Sequence, residues 1–221
     1  KPDFAEAFNN MGNALQKKCD LETAIDSFKQ ALKIKPDFAE AFNNMGNALQ
    51  KKGEVEAAID SYQEALKIKP DYASAYNNMG NALQDKGDFD AAIGCFKQAL
   101  RIKPDYAEAY YNMGNALKDK GDLKAAVNSY KQTVKIKPNY AEAYNNMGDA
   151  LQKMGEFDAA IDCFKQALRI KPDSAEACAN ILQLLTFYAP LKGLSHNNDM
   201  VKINQKLQNI DIQDNTTNII S

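Results

Sequence analysis

Residues 39–72 read AEAFNNMGNALQKKGEVEAAIDSYQEALKIKPDY, and nearly the same text returns along most of the chain. The stretches 73–86 (ASAYNNMGNALQDK), 107–120 (AEAYYNMGNALKDK) and 141–154 (AEAYNNMGDALQKM) repeat its first half. Prolines 2, 36, 70, 104, 138 and 172 keep a constant spacing of 34 residues. Self-similarity at a period of this size marks stacked supersecondary units rather than a closed globule. Five complete units follow: 5–38, 39–72, 73–106, 107–140 and 141–174. A sixth begins at Ala175 and drifts away after Asn180. Lys1 to Phe4 repeat Lys35 to Phe38, so the opening residues are expected to be the end of a truncated earlier repeat.

Within one unit the local signals predict two helices. Pro36 and Pro70 would interrupt a helix and so mark unit boundaries. Asp37 followed by Glu40 predicts a capping-box start for the first helix, with Asp3/Glu6, Asp105/Glu108 and Asp173/Glu176 as copies, Asn139/Glu142 a variant and Ser74 an exception. Gly53, Gly87, Gly121 and Gly155 are expected to close the first helix in the left-handed conformation. Cys19 takes that place in the first unit, at a cost of about 1 kcal/mol if the geometry is kept. The second helix is expected from about Val55 to Ile68. Gly46 and Ala58, with their copies, are small where two helices must touch, and Phe42 and Tyr62 fill the space between them.

At about 100° per residue, Phe42, Met45, Gly46 and Leu49 form one stripe, expected as core. The methionines Met11, Met45, Met79, Met113 and Met147 are expected to pack there. Glu40, Asn43, Asn44, Asn47, Gln50 and Lys51 form the opposite stripe. Asparagine costs a helix about 0.7 kcal/mol relative to alanine, yet each first helix carries up to three. Its carboxamide offers both a donor and an acceptor, matching the N–H and C=O of an extended peptide. The competing reading is a solvated face copied by recent duplication.

Composition narrows the function. Lys and Arg number 27 against 29 Asp and Glu, a formal charge of -2, so no basic field exists for a nucleic-acid backbone or an anionic membrane. The apolar stretch from Ile181 to Leu191 is too short to span a bilayer. One histidine, His196, argues against a histidine metal site or a Ser-His-Asp relay. There is no Walker loop, GxGxxG, GxSxG or HExxH. No catalytic residue, metal or cofactor is expected. Cys19, Cys95, Cys163 and Cys178 make no CxxC pair and are expected to be reduced and idle. Unpaired thiols and the lack of a leader at Lys1 make the cytoplasm the default expectation.

Phe42-x2-Met45-Gly46-x2-Leu49, then Ala58-x3-Tyr62, then Pro70 resembles the tetratricopeptide repeat, with Phe or Tyr for the usual Trp and Met for the usual Leu. The resemblance covers residues 1–180, five times in register. It implies an all-α fold: a right-handed superhelical solenoid of antiparallel helix pairs, whose concave wall is lined by the first helices. The array also resembles that of O-GlcNAc transferase, whose asparagine ladder holds peptide backbones. Carried over, this implies a peptide-binding row of Asn10, Asn44, Asn78, Asn112, Asn146 and Asn180, flanked by Asn43, Asn77, Asn47, Asn81 and Tyr111. Another tetratricopeptide subgroup clamps a carboxylate with basic groove residues; here Asn stands in their place, and Asp85 and Asp119 alternate with Lys17, Lys51 and Lys153 at the rim.

The leading expectation is therefore a non-enzymatic module binding an extended segment of a partner protein. The alternatives are self-association through repeat ends or the C-terminal tail, and the substrate-recruiting arm of a larger enzyme such as a glycosyltransferase. Residues 175–189 are expected to form a capping helix or partial sixth repeat. Residues 190–221 are read as a tail with a short amphipathic helix, Met200, Val201, Ile203, Leu207 and Ile210 sharing a face behind an Asp199 cap.

Overall fold

In a computed structural model, the described residues are 2–188. The expected helix in the C-terminal tail lies outside them. The described residues are helical with no strand, and the chain divides into two compact units, one up to Lys120 and one from Gly121. The first holds α1 (Pro2–Lys17), α2 (Leu21–Ile34), α3 (Ala39–Lys52), α4 (Val55–Ile68), α5 (Ala73–Asp85), α6 (Phe89–Ile102) and α7 (Ala107–Lys120). Each of its helices packs on the next, and the odd-numbered ones also touch in series, α1 to α3 to α5 to α7. The second holds α8 (Leu123–Ile136), α9 (Ala141–Lys153), α10 (Phe157–Ile170) and α11 (Ala175–Tyr188), again packed in sequence.

One contact recurs inside four helix pairs, α1/α2, α3/α4, α5/α6 and α9/α10. Phe28, Tyr62, Phe96, Tyr130 and Phe164 are fully buried. A Cβ placed on Gly12, Gly46, Gly80 or Gly148 would stand 2.6 Å from the ring of Phe28, Tyr62, Phe96 or Phe164 respectively. The glycine of the first helix is thus a flat seat for the aromatic of the second, a closer match than the expected Gly46–Ala58 approach. Burying such a ring stabilises the pair by roughly 2–3 kcal/mol. The alanines Ala24, Ala58, Ala92, Ala126 and Ala160 are fully enclosed beside it.

The first helices end as their glycines require. Gly53, Gly87, Gly121 and Gly155 have φ of 80 to 93°, and the next N–H closes the turn, as in Glu54 N–H to Leu49 C=O at 2.9 Å. Cys19 keeps the same geometry, with φ 62° and Asp20 N–H bonded to Leu15 C=O at 3.1 Å. It is exposed, a turn residue with no packing role.

The helix starts differ from expectation. Helix α3 begins at Ala39 behind Phe38, which makes no side-chain cap bond, and Tyr72 and Tyr140 stand likewise before α5 and α9. Asp3 lies inside α1. The aromatic is placed by the preceding turn: Phe38 N–H donates to Lys35 C=O at 3.3 Å, and the Lys35 ammonium sits 4.7 Å from the ring centroid. Lys69/Tyr72, Lys103/Tyr106 and Lys137/Tyr140 repeat this at 4.8 to 5.0 Å. Glu40 pairs with Lys69 at 3.6 Å rather than capping its own helix. Side-chain caps stand instead on the second helices α2, α6 and α8, where Asp20, Asp88 and Asp122 accept from Thr23, Ala91 and Ala125 N–H, and on α11, where Ser174 Oγ accepts from Ala177 N–H.

The methionine stripe is uneven. Met147 is buried and Met45, Met79 and Met113 are half-buried, but Met11 is 46% exposed. No described helix precedes α1, so its packing face is open; Phe4 is 57% exposed where its counterpart Phe38 is 8%.

Two predictions follow from this packing. Gly80→Ala is expected to destabilise by about 1–3 kcal/mol in urea unfolding, although alanine favours a helix, whereas Cys19→Gly should stabilise by about 1 kcal/mol. Burial first, helped by Asp88 and Asp162 respectively, pushes the Cys95 and Cys163 thiols from about 9 up to about 11. Each thiol holds its proton more tightly folded than unfolded. Their stabilisation is whole below pH 9 and is lost as pH rises from 9 to about 11. A Cys95→Ser, Cys163→Ser variant, matching Ser27, Ser61 and Ser129, should lose less stability over that window in thermal melts.

Candidate functional site: the amide rows of the first helices

The helix periodicity places the three asparagine rows on adjoining lines of each first helix, but they meet different surroundings. Asn10 is exposed; Asn44, Asn78, Asn112, Asn146 and Asn180 are half-buried, as are Asn47, Asn81 and Tyr111. Asn43 and Asn77 are only 5% exposed, together with Asn9 at 8% and Asn145 at 5%. They do not stand on the open side where the helical wheel put them. The cause is the next first helix in the stack, which covers this line.

What covers it is another amide. Asn44 Nδ2 donates to Asn9 Oδ1, Asn78 Nδ2 to Asn43 Oδ1, and Asn112 Nδ2 to Asn77 Oδ1, each at 3.0 Å. Within a helix, Asn43 Nδ2 reaches Asn44 Oδ1 and Asn77 Nδ2 reaches Asn78 Oδ1 at 3.5 Å. The first unit therefore carries one continuous chain of carboxamides: Asn112, Asn77, Asn78, Asn43, Asn44, Asn9. In the second unit Asn180 Nδ2 donates to Asn145 Oδ1 at 3.2 Å. No buried side-chain polar atom among the described residues lacks a partner, as a folded interior requires. Tyr111 stands where the buried line would continue.

A carboxamide has two N–H donors and two acceptor lone pairs. Asn44 and Asn78 each spend one N–H on the preceding first helix, α1 and α3 respectively, and accept one bond from the neighbouring residue. The bond fixes the rotation of the amide and leaves it a second N–H and a second lone pair.

A second polar line runs beside this one, for which the residues of a single unit carry no signal. Gln50 Nε2 donates to Asp85 Oδ2 at 2.6 Å and Gln84 Nε2 to Asp119 Oδ2 at 2.7 Å. The rim acids of α5 and α7 are thus paired to the preceding first helix. Asp149 pairs with Lys153 on its own helix at 3.1 Å. The Tyr62 hydroxyl, with a single proton to give, lies 2.8 Å from Asn47 Oδ1, its nearer acceptor, and 3.1 Å from Gln50 Oε1. Burial, with a smaller contribution from Asp85, raises the Tyr62 pKa well above its ordinary value, so it remains a donor. Phe96 brings no hydroxyl to Asn81, so the Asn47 and Asn81 positions are chemically unequal.

Among the described residues no group of His, Cys, Asp or Glu is placed to hold a metal, and no helix is long and apolar enough to cross a membrane.

Comparison with known proteins agrees with this architecture. A family model described as TPR repeat matches residues 20–53, 46–87, 80–121 and 114–155, and one described as tetratricopeptide repeat matches 141–174. No curated protein matches the chain. Among solved structures, MamA is 30% identical with a TM-score of 0.68, covering 75% of this chain and 96% of its own. Two others share the fold. The PilF protein of Pseudomonas aeruginosa has a TM-score of 0.78 at 17% identity, covering 99% of this chain and 94% of its own. YrrB, described as a TPR protein with an unusual peptide-binding site, has a TM-score of 0.64 at 23% identity, covering 78% and 89%. With the family's repeats matched from residue 20 to residue 174, the chain belongs to the tetratricopeptide repeat family, whose solenoids are protein-interaction modules.

Proposed function

We propose that this chain is a non-enzymatic module that binds an extended segment of a partner protein along the half-buried amide row of its first helices. In the first unit that row is Asn44, Asn78 and Asn112, with Asn10, Asn47, Asn81 and Tyr111 at its margins. In the second unit Asn146 and Asn180 hold the corresponding places. Asn43 and Asn77 are positioning residues, which orient the row without reaching the ligand. The observation that carries this reading is the residual capacity of Asn44 and Asn78. Each is held in one orientation by its 3.0 Å bond to the preceding helix and still offers an N–H and a lone pair to an extended backbone. That YrrB is described as having a peptide-binding site agrees with the reading.

Such a surface grips a backbone without reading its sequence. Two bonds per amide, at about 0.5–1.5 kcal/mol net each, less the cost of ordering the peptide, point to micromolar affinity.

The test starts from peptides selected by phage display against the intact chain. Changing Asn44, Asn78 and Asn112 to Ala together should weaken the selected peptides at least tenfold, read by calorimetry, while circular dichroism keeps its helical signal. Unchanged affinity in a folded triple variant would overturn the proposal. Asn77→Ala instead removes a buried link of the chain and should cost about 1–3 kcal/mol of stability.

A further inference from the structure

The turn between α10 and α11 departs from every other turn of its kind. At positions 38, 72, 106 and 140 an aromatic ring stands under the preceding lysine, at 4.7 to 5.0 Å. At 174 the residue is serine. The backbone turn is retained, with Ser174 N–H donating to Lys171 C=O at 3.2 Å as Tyr72 N–H does to Lys69 C=O at 3.2 Å. Only the ring is missing. In its place is a cavity of about 60 Å³, open to solvent and lined by Ala141, Glu142, Asn145, Lys171, Ser174 and Glu176.

Its walls repeat a register found beside a phenol elsewhere in the same chain. Residues 39, 40, 43 and 69, which stand to Tyr72 as the cavity's residues stand to Ser174, are Ala, Glu, Asn and Lys; the corresponding residues here are Ala141, Glu142, Asn145 and Lys171. Burial first, and then the charge of the Glu40 carboxylate, raise the Tyr72 pKa. Burial raises that of Tyr106 as well, and hydrogen bonding with Ser74, the residue at the Glu40 position one unit on, opposes the rise. A tyrosine in this place therefore rests under a lysine, within electrostatic reach of residue 40, 74 or, here, Glu142. The three native tyrosines are half-buried, so an open socket matches how they sit. Asn145 also belongs to the amide row, where it accepts from Asn180 at 3.2 Å.

We propose that the cavity at Ser174 is a socket for a tyrosine side chain of the bound partner segment, seated under Lys171 with its hydroxyl donating to Glu142. The partner's identity as a peptide rests on the reading above, but the chemistry of the socket does not. An apolar ring would gain the cation–π contact alone; a phenol adds a charge-assisted hydrogen bond.

The experiment titrates the full chain with N-acetyl-tyrosinamide and follows backbone amide resonances by NMR. Saturable shifts are expected at residues 141, 142, 145, 174 and 176, in the millimolar range for so small a ligand. N-acetyl-phenylalaninamide should bind roughly fivefold more weakly, the factor one net hydrogen bond supplies. Ser174→Tyr fills the socket in cis with the residue that three of the four sister turns carry, so it should fold, melt higher and lose the shifts. Glu142→Gln should bring the two ligands closer in affinity. No saturable shift in the parent chain, or shifts that persist in Ser174→Tyr, would overturn the socket. The probe is a single capped residue that needs no amide ladder. Failure of the Asn44, Asn78 and Asn112 test with this binding intact would therefore discard the backbone row and keep the socket.

Discussion

A ring pressed against a glycine is the contact on which four helix pairs depend, α1/α2, α3/α4, α5/α6 and α9/α10. Four first helices present a glycine to a fully buried Phe or Tyr of the second helix, with no room for even one added carbon. Glycine inside a helix costs about 1 kcal/mol against alanine, and each pair accepts that cost because the close approach lets a whole aromatic leave water. A ring displaced by a methyl group would separate the helices and open a gap that dispersion forces could not bridge. The short turns fix the pair in sequence, but the ring fixes its distance.

Once the pair distance is set, the stacking of successive units is decided by polar groups. The carboxamide chain from Asn112 to Asn9 crosses three helix–helix steps and leaves its buried members satisfied. Apolar side chains on that line would tolerate sliding by a fraction of a turn. Paired amides do not, because each mismatch strands a buried donor and acceptor. The Gln50–Asp85 and Gln84–Asp119 pairs repeat the register on a second line. A binding surface built on such a wall inherits its spacing from the stack.

Much of this was legible in the residues. The 34-residue period, the helix limits near Val55 and Ile68, and the left-handed glycines all follow from local chemistry that a single unit contains. What escaped depended on neighbours. Asn43 and Asn77 read as exposed on a wheel drawn for one helix, since the wheel holds no next helix to cover them. Asp37 read as a cap because Asp and Glu at that spacing usually form one; the lysine–aromatic turn pre-empts it by seating Phe38 at the helix start. Glu40 was drawn away to Lys69, a partner 29 residues on. The exposure of Met11 likewise reflects the absence of a described helix in front of α1, which no property of methionine encodes.

Near-identity of the units also makes their exceptions informative. In an array copied by duplication, a shared residue can be inherited without present use, whereas a departure has been fixed against the copied background. Cys19 departs and leaves the turn geometry unchanged, at an energetic cost and with no contact in return. Ser174 departs differently. It keeps the backbone turn, accepts from the Ala177 N–H at 3.3 Å, and leaves a cavity open to solvent where the sister turns carry a ring. Asn145 is held there by its bond from Asn180, and Lys171 and Glu142 are shared with other units, so their presence alone says nothing of use. What separates a socket from a packing defect is the space itself: lysine and carboxylate stand beside an unfilled volume that a phenol, and not a smaller polar group, can span.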